Sequence, residues 1–110
     1  MIDWARVSML RDEVGAEDFN EVVELFLEEV EEIIIKLRDA PDVSTLEADL
    51  HFLKGSALSL GFRAFSALCN IGESISAAGA SETVDISRVL DCYQVSKQAF
   101  LSELPGALTR

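Results

Sequence analysis

The sequence predicts an all-α protein, an antiparallel up-down-up-down four-helix bundle with a short additional N-terminal helix. Three observations point there. Apolar residues make up 49% of the 110 residues but aromatics only 7%, with 2 prolines and 6 glycines, a balance that suits helices rather than sheets. Apolar side chains recur at three- and four-residue spacings in every long segment, the period of an amphipathic helix. The breaks between segments are only a few residues long, and short connections force neighbouring helices to run antiparallel. One domain over residues 1–110 fits this length, and no repeat or low-complexity segment interrupts it.

The first helix is predicted from about Asp3 to Val14, with Trp4, Val7, Leu10 and Val14 on one side. Gly15-Ala16-Glu17-Asp18 breaks it, and Asp18 is expected to N-cap the second helix. That helix reads from about Phe19 to Arg38. Its apolar stripe is Phe19, Val22, Val23, Phe26, Val30, Ile33 and Leu37, opposite a row of glutamates. Pro41 ends the segment, because a helix seldom continues into a proline.

Ser44 with Glu47 makes a Ser-x-x-Glu capping-box pattern at the start of the third helix. Gly61 is placed to close that helix in the left-handed conformation. A fourth helix spans about Arg63 to Ala78, with Phe65, Leu68, Gly72 and Ile75 as its stripe, and Gly79-Ala80-Ser81 is the next turn. The last helix, about Asp85 to Leu104, carries Ile86, Val89, Tyr93 and Phe100 before Pro105-Gly106 ends it.

Charge and composition exclude several function classes. Twenty acids against 9 bases give a net charge of −11, a surface that repels nucleic acid and anionic membranes. Much of the acid lies between Glu17 and Glu32, which reads as a solvated helix face. No apolar run approaches the roughly 20 residues needed to cross a bilayer. The first segment is neither basic nor apolar enough for a signal peptide, so a cytoplasmic location is expected. Cys69 and Cys92 read as small buried thiols rather than a disulfide, and they share no metal-type spacing with the single histidine.

That histidine, His51, lies in the third helix. Leu46, Leu50, Leu53, Ala57 and Leu60 form the apolar stripe, and at about 100° per residue His51 falls roughly 140° from its centre, facing water. Glu47, Lys54, Gly55 and Leu58 share the outward sector. Glycine inside a helix costs about 1 kcal/mol relative to alanine. Gly55 lies one turn after His51, where a missing Cβ opens space for a group on the ring or for another protein surface. Lys54 brings an ammonium to the same spot. An exposed imidazole, a cation and a clearing suit a nitrogen that carries a phosphoryl group. Leu58, Phe52, Phe62 and Ser59 are candidates for partner docking around it, with Ser56 as a further polar contact.

The run His51-Phe52-Leu53-Lys54-Gly55-Ser56 with Gly61 resembles the signature of the histidine-containing phosphotransfer (HPt) family. Ile2-Asp3-Trp4 leading into a short helix, the Gly15-to-Asp18 turn and an acidic helix bearing Phe26 also resemble that family. The resemblance implies that His51 is the phosphoacceptor, with Nε2 taking the phosphate. It places the short first helix as a cap near the histidine. It also implies that Glu73 holds the other ring nitrogen, accepting the Nδ1 proton. The arginine that some members have four residues later is absent, since Ala77 stands there.

The chain has no Gly-x-x-x-x-Gly-Lys-Ser/Thr loop for ATP and no acidic cluster beside His51 that reads as a metal cradle. The expectation is therefore a phosphocarrier rather than an enzyme. The resemblance implies partners in the receiver domains of hybrid histidine kinases and response regulators, each bringing its own Mg²⁺, with His51 accepting phosphate from one receiver aspartate and passing it to another. The carrier is expected to be a monomer. Two other readings are a bundle adaptor that regulates by contact alone, and a dimerisation and phosphoacceptor fragment of a histidine kinase. Intact His51, Lys54 and Gly55 argue against the first, and the helix count argues against the second.

Overall fold

The computed structural model describes residues 1–107, with the last three residues of the sequence outside them. Five α-helices succeed one another: α1 Trp4–Val14, α2 Phe19–Asp39, α3 Leu46–Leu60, α4 Arg63–Ala77 and α5 Ile86–Ala107, with a single 3-10 turn, Ser81–Thr83, before α5. Among the described residues there is no strand, only an isolated antiparallel bridge between Ile2 and Phe62. The all-α class expected from composition and periodicity is therefore what the chain adopts. None of the described helices is long and apolar enough to cross a membrane.

The α3 stripe is buried as its spacing predicts: Leu46, Leu50, Leu53, Ala57 and Leu60 are each at most 1% exposed. Burying side chains of this size stabilises by roughly 1.5–3 kcal/mol each, which is what holds a 15-residue helix that isolated would be marginal. α3 and α4 form an antiparallel hairpin turned at Gly61-Phe62. Gly61 takes the left-handed conformation (φ 75°), and its N–H closes onto the carbonyls of Ala57 and Leu58. Near the middle of the pair, Gly72 of α4 faces Leu50 of α3.

The N-terminal segment clamps the turned corner. Asp3 N–H donates to Gly61 O at 2.7 Å and Arg63 N–H donates to Met1 O at 3.0 Å. Asp3 also caps α1, its carboxylate accepting from Arg6 N–H and pairing with Arg63. The Arg6 amide first, and then Arg63, hold the Asp3 carboxyl below the usual aspartate range. Inside the corner runs a chain of rings: Trp4 stacks on Phe100 (5.6 Å), Phe100 meets Phe62 (5.3 Å), Phe62 meets Tyr93 (6.4 Å) and Tyr93 meets Phe65 (5.4 Å).

Four local expectations are corrected. The Ser44–Glu47 capping box does not form, because α3 starts two residues later. The turn before it is built by Asp42, whose carboxylate accepts from the Ser44 amide and hydroxyl. Asp18 stands at the start of α2 but its side chain makes no capping bond. Pro105 does not end α5, which continues to Ala107. In the last turn its missing N–H leaves one carbonyl, that of the exposed Leu101, to solvent. Phe62, expected as a docking residue, is only 1% exposed because it is the middle ring of the aromatic chain.

Two polar networks tie helices together. Asp49 is buried on α3 and pairs with Lys36 of α2 at 2.9 Å, with Thr45 bonded to both. The buried Tyr93 hydroxyl donates to Glu31 at 2.7 Å, and Lys97 approaches the same carboxylate oxygen. Burial first, and then the Glu31 carboxylate, push the Tyr93 phenol well above its usual value. Apart from Glu31, the glutamates of α2 (Glu21, Glu24, Glu28, Glu29, Glu32) are the solvated face the sequence suggests. Cys69 and Cys92 are free thiols, buried and half-buried, and burial pushes the Cys69 thiol up to about 12.

Candidate functional site

His51 projects from the middle of α3 with its side chain 68% exposed. The side on which it stands is fixed by the stripe: with Leu50 and Leu53 wholly buried, His51 and Phe52 between them are turned outward. Across the helix pair, Glu73 of α4 places Oε2 2.8 Å from His51 Nδ1. Lys54, one turn after His51, places Nζ 2.6 Å from the other oxygen, Oε1, as an ion pair whose approach lies off the hydrogen-bonding direction. One carboxylate thus engages both the imidazole and the ammonium of the motif.

This contact determines the protonation states. Lys54 first, and then His51, hold the Glu73 carboxyl below the usual glutamate range, so it is ionised at neutral pH. An ionised carboxylate only accepts, so the ring nitrogen facing it must carry a hydrogen. In the neutral ring, Nδ1–H then donates to Glu73, and Nε2 is left with the lone pair. That is the arrangement of a nucleophilic nitrogen with its second nitrogen held by a base.

A Cβ built on Gly55, one turn after His51, would meet nothing within 4 Å, so the missing side chain accommodates no neighbour among the described residues. That separates Gly55 from Gly61 and Gly72, where an added Cβ would collide with Asp3 O at 2.6 Å and Leu50 Cδ1 at 2.9 Å respectively. Packing among the described residues therefore does not account for the cost of a mid-helix glycine at 55.

Of the residues singled out in the sequence, the structure brings His51, Lys54, Gly55 and Glu73 together. Phe52 (39% exposed) and Leu58 (58% exposed) present apolar surface on the same helix, whereas Ser59 is half-buried and Ser56 buried. Phe62 is removed from the set by its burial. Periodicity alone gave no sign that Lys54 would be engaged by Glu73, because the two lie on different helices. Among the described residues no three His, Cys, Asp or Glu side chains converge as metal ligands.

Comparison with known proteins gives a family. The Hpt domain family matches residues 21–99, which include α3, α4 and the whole of the site. The chain is 30% identical over 110 residues to the phosphorelay protein LuxU of Vibrio vulnificus strain YJ016, and equally to that of strain CMCP6, covering 93% of this chain and 93% of each relative. No solved structure gives a significant match.

Proposed function

The chain belongs to the Hpt domain family, a histidine phosphotransfer family of two-component phosphorelays, and from that premise we propose that His51 is its phosphoacceptor. The observation that carries this reading is the Nδ1–Glu73 contact at 2.8 Å on a largely exposed ring, which leaves Nε2 as the nitrogen with the free lone pair.

In the proposed reaction Nε2 attacks the phosphorus of a receiver's phosphoaspartate. The Nε2–P bond forms as the P–O bond to the aspartyl carboxylate breaks, and the carboxylate leaves with the electron pair. Loading makes the ring cationic, with Nδ1 still protonated, and Glu73 stabilises that charge. Transfer to a second receiver reverses the step. Lys54 is close enough to neutralise phosphoryl oxygens once they arrive.

This chain contributes the nucleophile, its orientation and a nearby cation. The receiver is taken to contribute in-line placement and the Mg²⁺ that phosphoryl transfer needs. On this reading the protein is a phosphocarrier with partner-supplied chemistry, working as a cytoplasmic monomer between receiver domains of hybrid histidine kinases and response regulators. Phe52 and Leu58 supply apolar contact beside the histidine and Ser59 a polar one.

The test is incubation with a phosphorylated receiver domain and Mg²⁺, following acid-labile, alkali-stable phosphate on the chain, with His51→Ala as control. Label that appears on the wild type and vanishes in the variant supports the reading. Label that persists in the variant places the phosphate elsewhere, and no label from several receivers favours an adaptor that acts by contact.

A further inference from the structure

The contact between His51 and Glu73 is set at its level by a buried contact directly beneath it. Leu50 precedes His51 on α3, and Gly72 precedes Glu73 on α4. The two inner residues face each other across the helix interface, while the two outer residues meet at the rim. A Cβ on Gly72 would lie 2.9 Å from Leu50 Cδ1 and 3.4 Å from Val84 Cγ1, squeezed between α3 and the segment that leads into α5. Leu50 is wholly buried, so its terminal methyls have little free space into which to turn.

We propose that Gly72 is a positioning residue of the phosphotransfer site: by letting α4 approach α3 closely at Leu50, it brings the Glu73 carboxylate within hydrogen-bond distance of His51 Nδ1. Any wider spacing of the helices at this level separates Glu73 from His51, because both side chains span the same gap from backbones one residue further along. Nothing at Gly72 demands glycine for backbone reasons, since the residue lies inside α4 and only Gly15, Gly61 and Gly79 have positive φ among the described residues. The cost of a mid-helix glycine is then explained by proximity of the helices. This assignment rests on the reading of His51 as phosphoacceptor for its functional meaning, while the geometry beneath it is independent of that reading.

The experiment uses the whole chain, in which His51 is the single histidine, so its ring nitrogen signals in nitrogen-15 NMR need no separate assignment. Gly72→Ala and Gly72→Val are compared with wild type, with Glu73→Gln, and with the double variant Leu50→Val/Gly72→Ala, in which the colliding methyl is withdrawn. A carboxylate at Nδ1 holds the neutral ring in the tautomer with its hydrogen on Nδ1, so separating it lets the Nε2–H tautomer appear. Gly72→Ala is expected to raise the Nε2–H share in the direction of Glu73→Gln. Gly72→Val is expected to raise it further, and Leu50→Val is expected to reverse the change in the double variant. Loading from a phosphorylated receiver should slow several-fold in Gly72→Ala and recover in the same double variant.

A Gly72→Ala protein that melts at a lower temperature but keeps the wild-type tautomer would overturn the proposal, leaving Gly72 a packing residue only. A tautomer change that Leu50→Val does not reverse would overturn it too, since the cause would not be the collision. If the wild type takes no phosphate from any receiver, the phosphoacceptor reading fails. The tautomer measurement still decides whether Gly72 sets the His51–Glu73 contact.

Discussion

Lys54 and Glu73 meet at 2.6 Å, so the cation of the motif is already engaged by the carboxylate that holds the imidazole. The site is a triad of alternating charge: ammonium, carboxylate and a polar N–H. Under the proposed function Lys54, on a long side chain one turn from His51, would exchange this contact for a phosphoryl oxygen, and Glu73 would remain for the charged ring.

Removing that cation should be visible on its partner. Lys54 is the largest cause of the lowered Glu73 carboxyl, so Lys54→Gln is expected to raise the Glu73 midpoint toward the ordinary glutamate value. Carbon-13 detection of the Glu73 carboxyl through an acid titration reads this directly. An unchanged midpoint would mean that the pair does not persist in solution.

The sign of the pH effect on stability is fixed by the same shift. The folded value of Glu73 is depressed, so its stabilising contribution is present above the ordinary glutamate range and is lost as pH falls through the depressed folded value. The difference in melting temperature between wild type and Glu73→Gln should therefore be largest near neutral pH and shrink on acidification. A difference that stays constant down to strongly acidic pH would contradict this.

Gly55→Ala separates stability from activity. With nothing within 4 Å of the added Cβ, the variant should gain about 0.5–1 kcal/mol in urea unfolding, the ordinary helix preference of alanine. Its rate of phosphate acceptance from a receiver should fall, because the methyl intrudes on the approach to His51. A variant that is stabler and equally fast would show that the clearing serves no transfer.

Gly61→Ala should do the opposite. Positive φ and a Cβ 2.6 Å from the Asp3 carbonyl combine to cost about 2–4 kcal/mol. Urea unfolding should register the loss, and the Asp3–Gly61 hydrogen bond should be the first contact to weaken in amide exchange. A loss below the cost of the left-handed backbone alone would show that the corner relaxes easily.

Tyr93→Phe probes the network remote from the site. The hydroxyl donates to a carboxylate that also holds Lys97, so its loss should lower stability by about 1–2 kcal/mol. The His51 ring tautomer should be unaffected. A shift there would reveal coupling through α5 that the contacts do not display.

How much of this was legible in the sequence depended on range. The α3 stripe, the outward side of His51 and the left-handed turn at Gly61 derive from helical period and backbone sterics, which act over a few residues, and all appear as expected. Glu73 reached His51 only through the family resemblance, since helical period says nothing about which helix lies opposite. Phe62 shows the failure plainly: lying off the α3 stripe it looked available, but its burial is decided by Tyr93 and Phe100, more than thirty residues away. The pair of buried Asp49 with the partly exposed Lys36 escaped for the same reason, because a charged residue reads as solvent-facing until its partner is located. The capping box failed more locally: Asp42 competes for the turn and moves the helix start past Ser44.

The bonds from Asp3 to Gly61 and from Met1 to Arg63 also order the steps by which the chain assembles. The α3–α4 hairpin joins sequence neighbours through a two-residue turn and closes at little entropic cost, whereas the N-terminal segment must span α1, α2 and α3 to find its acceptors. The edge of the bundle that carries His51 can therefore form around its own turn, with the N-terminal strap docking onto a corner already made. In native-state exchange that strap should open at lower free energy than the α3–α4 core, releasing the end of the molecule while the histidine and its glutamate stay paired.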